Sequence, residues 1–114
     1  MATQSFRDLL VWQRASDFSV CVYKTFLGTK DFSFRDQIQR AALSIPNNIA
    51  EGHARRSDKA FRNFLFIAKG SAAEVESMLL IATKLGYINI EKQTELTNQV
   101  QEIAKLLSGF IRKL

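Results

Sequence analysis

The chain has 114 residues, 46% of them apolar and 24% charged, with one proline, five glycines and nine phenylalanines. That length suits one domain and leaves no room for two, and the apolar and charged fractions exclude a disordered chain. Sixteen lysines and arginines against eleven carboxylates give a net charge of +5, and such a basic balance favours polyanionic partners, RNA, DNA or anionic lipid, over a neutral surface.

The first predicted helix runs from about Asp8 to Leu27. Val11, Ala15, Phe18 and Val22 step by four and three along one face. Trp12, Ser19, Tyr23 and Phe26 form an adjacent stripe, and Gly28 follows the end as a stop. The second helix, about 33–53, has Ser33 as its expected N-cap, and Phe34, Ile38, Ala41, Ile45 and Ile49 as its apolar face. Pro46 lies inside it and cannot donate to the Ala42 carbonyl. A kink is expected there, with Asn47 and Asn48 reaching the freed carbonyls and Gly52 suiting the helix end. The third helix, about 57–85, opens at Ser57 and is the longest. Phe61, Leu65, Ala68, Ala72, Val75, Leu79 and Ala82 make a heptad seam. Beside it run Phe64, Ile67, Ser71, Met78, Ile81 and Leu85, an apolar stripe beyond what one bundle needs. Phe64, Ile67, Met78 and Ile81 are therefore expected at a subunit contact. The fourth helix, about 91–113, carries Leu96, Val100, Ile103, Leu107 and Phe110 on one face. Short connections between four such helices predict an all-α fold: a single antiparallel, up-down-up-down four-helix bundle over 1–114.

Catalytic patterns are missing. Cys21 is the only cysteine and His53 the only histidine, on separate segments and without a third group to orient a base. There is no Cys-x-x-Cys, no His pair, no Glu-x-x-His and no phosphate-binding glycine loop. Glu51 and Glu74 read as polar anchors at helix contacts, and Glu76 as solvated. The expectation is a protein that is not an enzyme and holds no cofactor or metal. A lone cysteine permits no intrachain disulfide, no apolar run reaches the ~20 residues of a membrane span, and MATQSFRDLL lacks signal-peptide order. A cytoplasmic protein without membrane contact is expected.

The most informative charges are Arg55, Arg56, Lys59, Arg62 and Lys69. Arg55, Lys59 and Arg62 step by four and three, and Lys69 follows by seven. If the third helix extends back to Arg55, these make one basic ridge able to contact several phosphates, with Arg40 and Arg35 extending it from the second helix. No aromatic residues interleave with them as a base-stacking platform would require.

Three stretches, FRDLLVWQRA at 6–15, SIPNNIAEG at 44–52 and FLFIAKGSAAE at 64–74, together resemble bacterial 23S rRNA intervening-sequence proteins across nearly the whole chain. The one departure is Ala72-Ala73, where a larger aliphatic residue is usual. The resemblance implies a four-helix bundle assembled as a ring-like homopentamer. It also implies kinship with the accessory protein of diversity-generating retroelements, a basic pentamer that binds nucleic acid and its reverse transcriptase. The expected partners are thus further copies of the chain, RNA or DNA, and a nucleic-acid-processing protein. Within the motifs, Trp12 is expected to pack on the second helix. Asn48, Glu51, Ser71 and Glu74 are expected to form a polar layer, Gly52 to end the second helix, and Gly70 to let the second and third helices approach closely. The expected function is a non-enzymatic, oligomeric basic scaffold that binds nucleic acid. The alternative is a structural or protein-interaction module with no such affinity.

Overall fold

A computed structural model describes residues 5–114; Met1–Gln4, part of the expected 1–114 domain, lie outside it. It contains a 3-10 turn at Phe6–Asp8 and four helices: α1 Leu10–Thr25, α2 Phe32–Ala54, α3 Asp58–Lys84 and α4 Ile90–Lys113. Three of the helix starts are fixed by side chains. The Asp31 carboxylate accepts from the Phe34 amide at 3.1 Å, the Ser57 hydroxyl from Ala60 at 3.3 Å, and the Asn89 side-chain oxygen from Lys92 at 2.8 Å. Each cap satisfies an amide that has no partner within its helix.

Two expected starts move. Asp31, not Ser33, caps α2, because its carboxylate can also accept the Tyr87 hydroxyl at 2.7 Å. Asp8 does not open α1: the Ser5 hydroxyl caps a separate 3-10 turn, and Leu9 is extended before the α-helix begins. At the end of α3, Gly86 adopts φ 79°, and the Tyr87 amide returns to the Ala82 carbonyl at 2.9 Å. This six-residue closure needs the left-handed conformation that glycine adopts without strain.

Cross-helix contacts fix direction and register. Ser19 meets Ala42 and Tyr23 meets Gln39; Ser44 meets Ser71 and His53 meets Phe61; Gln101 meets Glu76 and Phe110 meets Phe61. In each pair the numbers rise on one helix and fall on the next, so sequential helices are antiparallel. Contacts between α1 and α4, including the Arg14–Glu102 ion pair, close the bundle. Its extents are 47 × 21 × 20 Å. The predicted seams fill the centre: Val11, Ala15, Phe18 and Val22 of α1, Ile38, Ile45 and Ile49 of α2, Leu65, Val75 and Leu79 of α3, and Leu96, Ile103 and Leu107 of α4 are all buried.

Pro46 is buried, and α2 runs on through it. The Ala42 carbonyl that it strips of a helical donor is met from α1, not by Asn47 or Asn48. The buried Ser19 hydroxyl lies 2.8 Å from both the Ala42 and the Ala15 carbonyls. A hydroxyl has one proton, and the Ala15 carbonyl already lies within reach of the Ser19 amide, four residues on in α1. The Ala42 carbonyl has no such alternative. Asn48 instead donates to the Ser44 carbonyl at 2.7 Å and hydroxyl at 2.8 Å.

The close approach expected at Gly70 occurs at Gly52 instead. Gly70 is exposed, and a Cβ added there would meet nothing within 4 Å. Gly52 is buried two residues before the end of α2, and its Cβ would fall 2.6 Å from Phe64 Cβ and 3.0 Å from Phe61 Cδ1. Gly52 is thus where α2 and α3 approach most tightly, and glycine is required there for space.

Candidate nucleic-acid interface

The α2–α3 turn breaks the expected ridge. Because α3 begins at Asp58, Arg55 and Arg56 do not lie on it. Arg55 folds back on α2, donating to the Glu51 carboxylate at 2.9 Å, with its guanidinium 5.0 Å from the Phe64 ring centre. Arg56 sits at φ 57°, a left-handed conformation that costs a non-glycine residue about 1–2 kcal/mol. Lys59, Arg62 and Lys69 are exposed on α3. Arg62 and Lys69 share a stripe with Glu76, seven residues further on, which accepts from Gln101 at 2.9 Å; this stripe therefore borders α4. Arg40 is exposed on α2 but lies in the other half of the bundle, level with Cys21, and extends nothing.

Antiparallel packing nevertheless concentrates charge in a way the sequence order hides. The half of the bundle built from residues 5–17, 44–70 and 102–114 holds ten lysines and arginines against five carboxylates. The other half holds six against six. The whole formal charge of +5 thus belongs to one end, where α1 starts, α2 turns into α3 and α4 stops. Arg112 and Lys113, which sequence reading left out, lie there beside Arg56, Lys59 and Arg62. The antiparallel topology was the available signal for them, since it returns the end of α4 to the α2–α3 turn. Each half holds two ion pairs, Arg14–Glu102 and Arg55–Glu51 in the basic half and Arg35–Asp36 and Lys92–Glu95 in the other, and among the described residues none of Arg56, Lys59, Arg62, Lys105, Arg112 and Lys113 forms one.

The polar layer is smaller than expected. Ser44 and Ser71 hydroxyls lie 2.9 Å apart, and Asn48 completes the group. Glu51 and Glu74 are not in it: both are exposed, Glu51 paired with Arg55 and Glu74 accepting from Gln37 at 3.4 Å. A carboxylate would carry a large desolvation penalty between two helices, and the shorter serine and asparagine side chains fill that position without one. Glu76, expected to be solvated, is half-buried against Gln101. Trp12 packs half-buried against the core, its ring 5.1 Å from that of Phe6.

The expected contact stripe on α3 divides. Ile67 and Ile81 are 52% and 44% exposed and Phe64 is half-buried, but Met78 is 7% exposed and belongs to the core. Met78 lies seven residues beyond Ser71, whose hydroxyl meets Ser44 of α2, so it falls on the α2-facing side of α3. A second apolar surface was not foreseen. Val20 and Tyr23 of α1, Leu27 just beyond its end, and Phe32 and Leu43 of α2 are all exposed, and the Ser19–Ala42 and Tyr23–Gln39 register places them alongside one another.

Elsewhere, the described residues include no cluster of His, Cys, Asp and Glu able to hold a metal ion. No helix of the described residues is long and apolar enough to cross a membrane. Cys21 is an exposed free thiol. His53 lies thirteen residues along α2 from Arg40, roughly 20 Å from the level of Cys21, so the two cannot form a dyad.

Residues 7–109 match the family profile described as 23S rRNA-intervening sequence protein. The chain belongs to that family. A crystal structure of a family relative, described as a protein of unknown function from the S23 ribosomal protein family of Bacteroides thetaiotaomicron VPI-5482, is 33% identical to this chain. The likeness covers 90% of this chain and 98% of that one, with a TM-score of 0.84. Comparison with curated proteins gives no match. The family and the four-helix fold therefore stand as the resemblance implied. Neither description names a catalytic activity.

Proposed function

We propose that this 23S rRNA-intervening sequence protein is a non-enzymatic, self-associating cytoplasmic scaffold that binds the backbone of RNA or DNA through the basic end of its bundle. The observation that carries this reading is the segregation of charge, with all of the net +5 at one end, where Arg56, Lys59, Arg62, Lys105, Arg112 and Lys113 form no ion pair among the described residues. Cations clustered at one pole replace condensed counterions on a phosphate chain, and the released ions drive binding.

Self-association is supported by the two exposed apolar surfaces, Ile67 and Ile81 on α3 and the Val20–Phe32–Leu43 surface of α1 and α2. Unlike surfaces that pair with each other generate rings when the rotation closes. Five copies is the number that the family resemblance implies. A nucleic-acid-processing protein is the further partner it implies. The second reading, an interaction module without nucleic-acid affinity, draws on the same apolar surfaces.

Fluorescence anisotropy on labelled RNA and DNA, with light scattering on the same samples, tests both. Micromolar or tighter binding is expected at low salt, weakening steeply between about 50 and 200 mM. Reversing Arg56, Lys59 and Arg62 to glutamate should reduce affinity more than tenfold, while reversing Lys24, Lys30 and Lys84 at the neutral end should not. An oligomer that binds neither nucleic acid at low salt would establish the second reading, and a monomer would remove self-association from both.

A further inference from the structure

Nucleic-acid readers with no sequence preference combine a cationic track with aromatic rings on which bases stack. No such rings interleave with the charges along the sequence, but the fold supplies them at the basic end. His53 of α2 packs edge-on to Phe61 of α3, with centroids 5.8 Å apart and planes at 85°. Phe61 packs in turn on Phe110 of α4, at 5.1 Å and 66°. These three rings, with Leu9 and Leu114, line an open cleft of about 340 Å³. That volume falls in the range of small-ligand pockets. Phe61 belongs to the buried core, whereas His53 and Phe110 are half-buried, so stacking of a flat π-system falls to those two rings.

The polar lining decides which part of a nucleotide enters. Arg56, Ser57 and Asp58 supply it. Asp58 makes the cleft a poor site for a phosphate but does not repel a neutral base. Arg56, exposed and in the left-handed conformation, lines the cleft and can take the phosphate of an inserted nucleotide, and the exposed Lys59 on α3 can take the following one. Strained non-glycine residues of this kind concentrate at ligand clamps.

Resting on the basic-end reading, we propose that the His53–Phe61–Phe110 cleft receives an unpaired nucleobase, so that the protein prefers single-stranded or frayed nucleic acid to closed duplex. A paired base cannot enter, because its faces are already stacked and its edge is joined to its complement.

The test compares three probes of equal phosphate count: a single-stranded oligonucleotide, the same strand with every base removed, and a blunt duplex. The single strand should bind about tenfold or more tightly than the abasic strand, the scale of one base stacked on aromatic side chains. His53→Ala should bring the single strand close to the abasic value and leave abasic binding unchanged. Phe110→Leu, which keeps apolar volume while removing the ring, should do the same. A thermal melt of each variant checks the fold, and the wild-type comparison of strand with abasic strand needs no variant. Equal affinity for the strand and its abasic form would overturn the cleft while leaving the basic end intact. Equal weakening of both probes by His53→Ala would also overturn it. Absence of binding to all three probes would overturn the cleft and the basic-end reading together.

Discussion

At the scale of single residues, the family motif SIPNNIAEG divides its work between helices in a way its spelling does not disclose. Pro46 removes a donor from α2, and Ser19, 27 positions earlier on α1, supplies the replacement. Ser19→Ala should therefore leave the Ala42 carbonyl buried without a partner, at about 1–3 kcal/mol. Pro46→Ala restores a backbone donor to that carbonyl, so Ser19→Ala should cost much less in that background. Chemical denaturation of the four proteins of this cycle would show the coupling; additive effects would mean that Ser19 acts only by packing. Gly52 and Gly70 show what a sequence alone conceals. Both are glycines within predicted helices, and the sequence does not say which faces another helix. Only the rotation of α2 against Phe64 decides that.

At the scale of elements, periodicity placed every helix, because each carries a stripe spaced at four and three, and three of the four begin at a side-chain cap. It failed where a tertiary contact competed with a local one. Asp31 outranks Ser33 as the α2 cap because Tyr87, beyond the end of α3, also donates to it. That contact ties the α1–α2 turn to the α3–α4 turn. The Tyr87 hydroxyl, and then the Phe34 amide, hold the Asp31 carboxyl below the usual aspartate range, and the bond to Asp31 raises the Tyr87 hydroxyl above its ordinary value. A lowered carboxyl contributes stability that is present above its unfolded value and lost as pH falls through its folded one. Tyr87→Phe should accordingly lower the melting temperature at neutral pH. Its difference from the parent should shrink as the pH falls below the ordinary aspartate value of about 3.9. A difference that stayed constant down to pH 2 would show that the hydroxyl adds nothing through Asp31. The basic ridge failed for a related reason. Arg55, Lys59 and Arg62 have helical spacing, but Ser57 caps α3 between them and turns Arg55 back onto Phe64.

At the scale of the molecule, bundle and family were legible, because four amphipathic helices joined by short turns admit few arrangements and the three motifs are specific. The distribution of charge was not legible. It depends on which ends of the chain antiparallel packing brings together, and Arg112 and Lys113 are fifty or more positions from the α2–α3 turn that they join. The aromatic cleft was hidden in the same way, since its rings come from α2, α3 and α4.

A bundle with one charged pole and one neutral pole is an awkward building block for a ring. Copies set side by side in a common orientation bring their like poles together, and their mutual repulsion opposes the apolar contacts that join them. A phosphate chain laid across the converged poles neutralises that repulsion, so binding and assembly become linked, each strengthening the other. Added salt then acts in opposite directions on the two. It screens the poles from one another over a distance of about 8 Å at physiological strength, while it weakens the hold on phosphate. Light scattering of the protein alone should show association tightening as salt rises from about 50 to 500 mM, and at low salt a short polyanion should substitute for the added salt. Association that weakened with salt would mean that the poles do not converge.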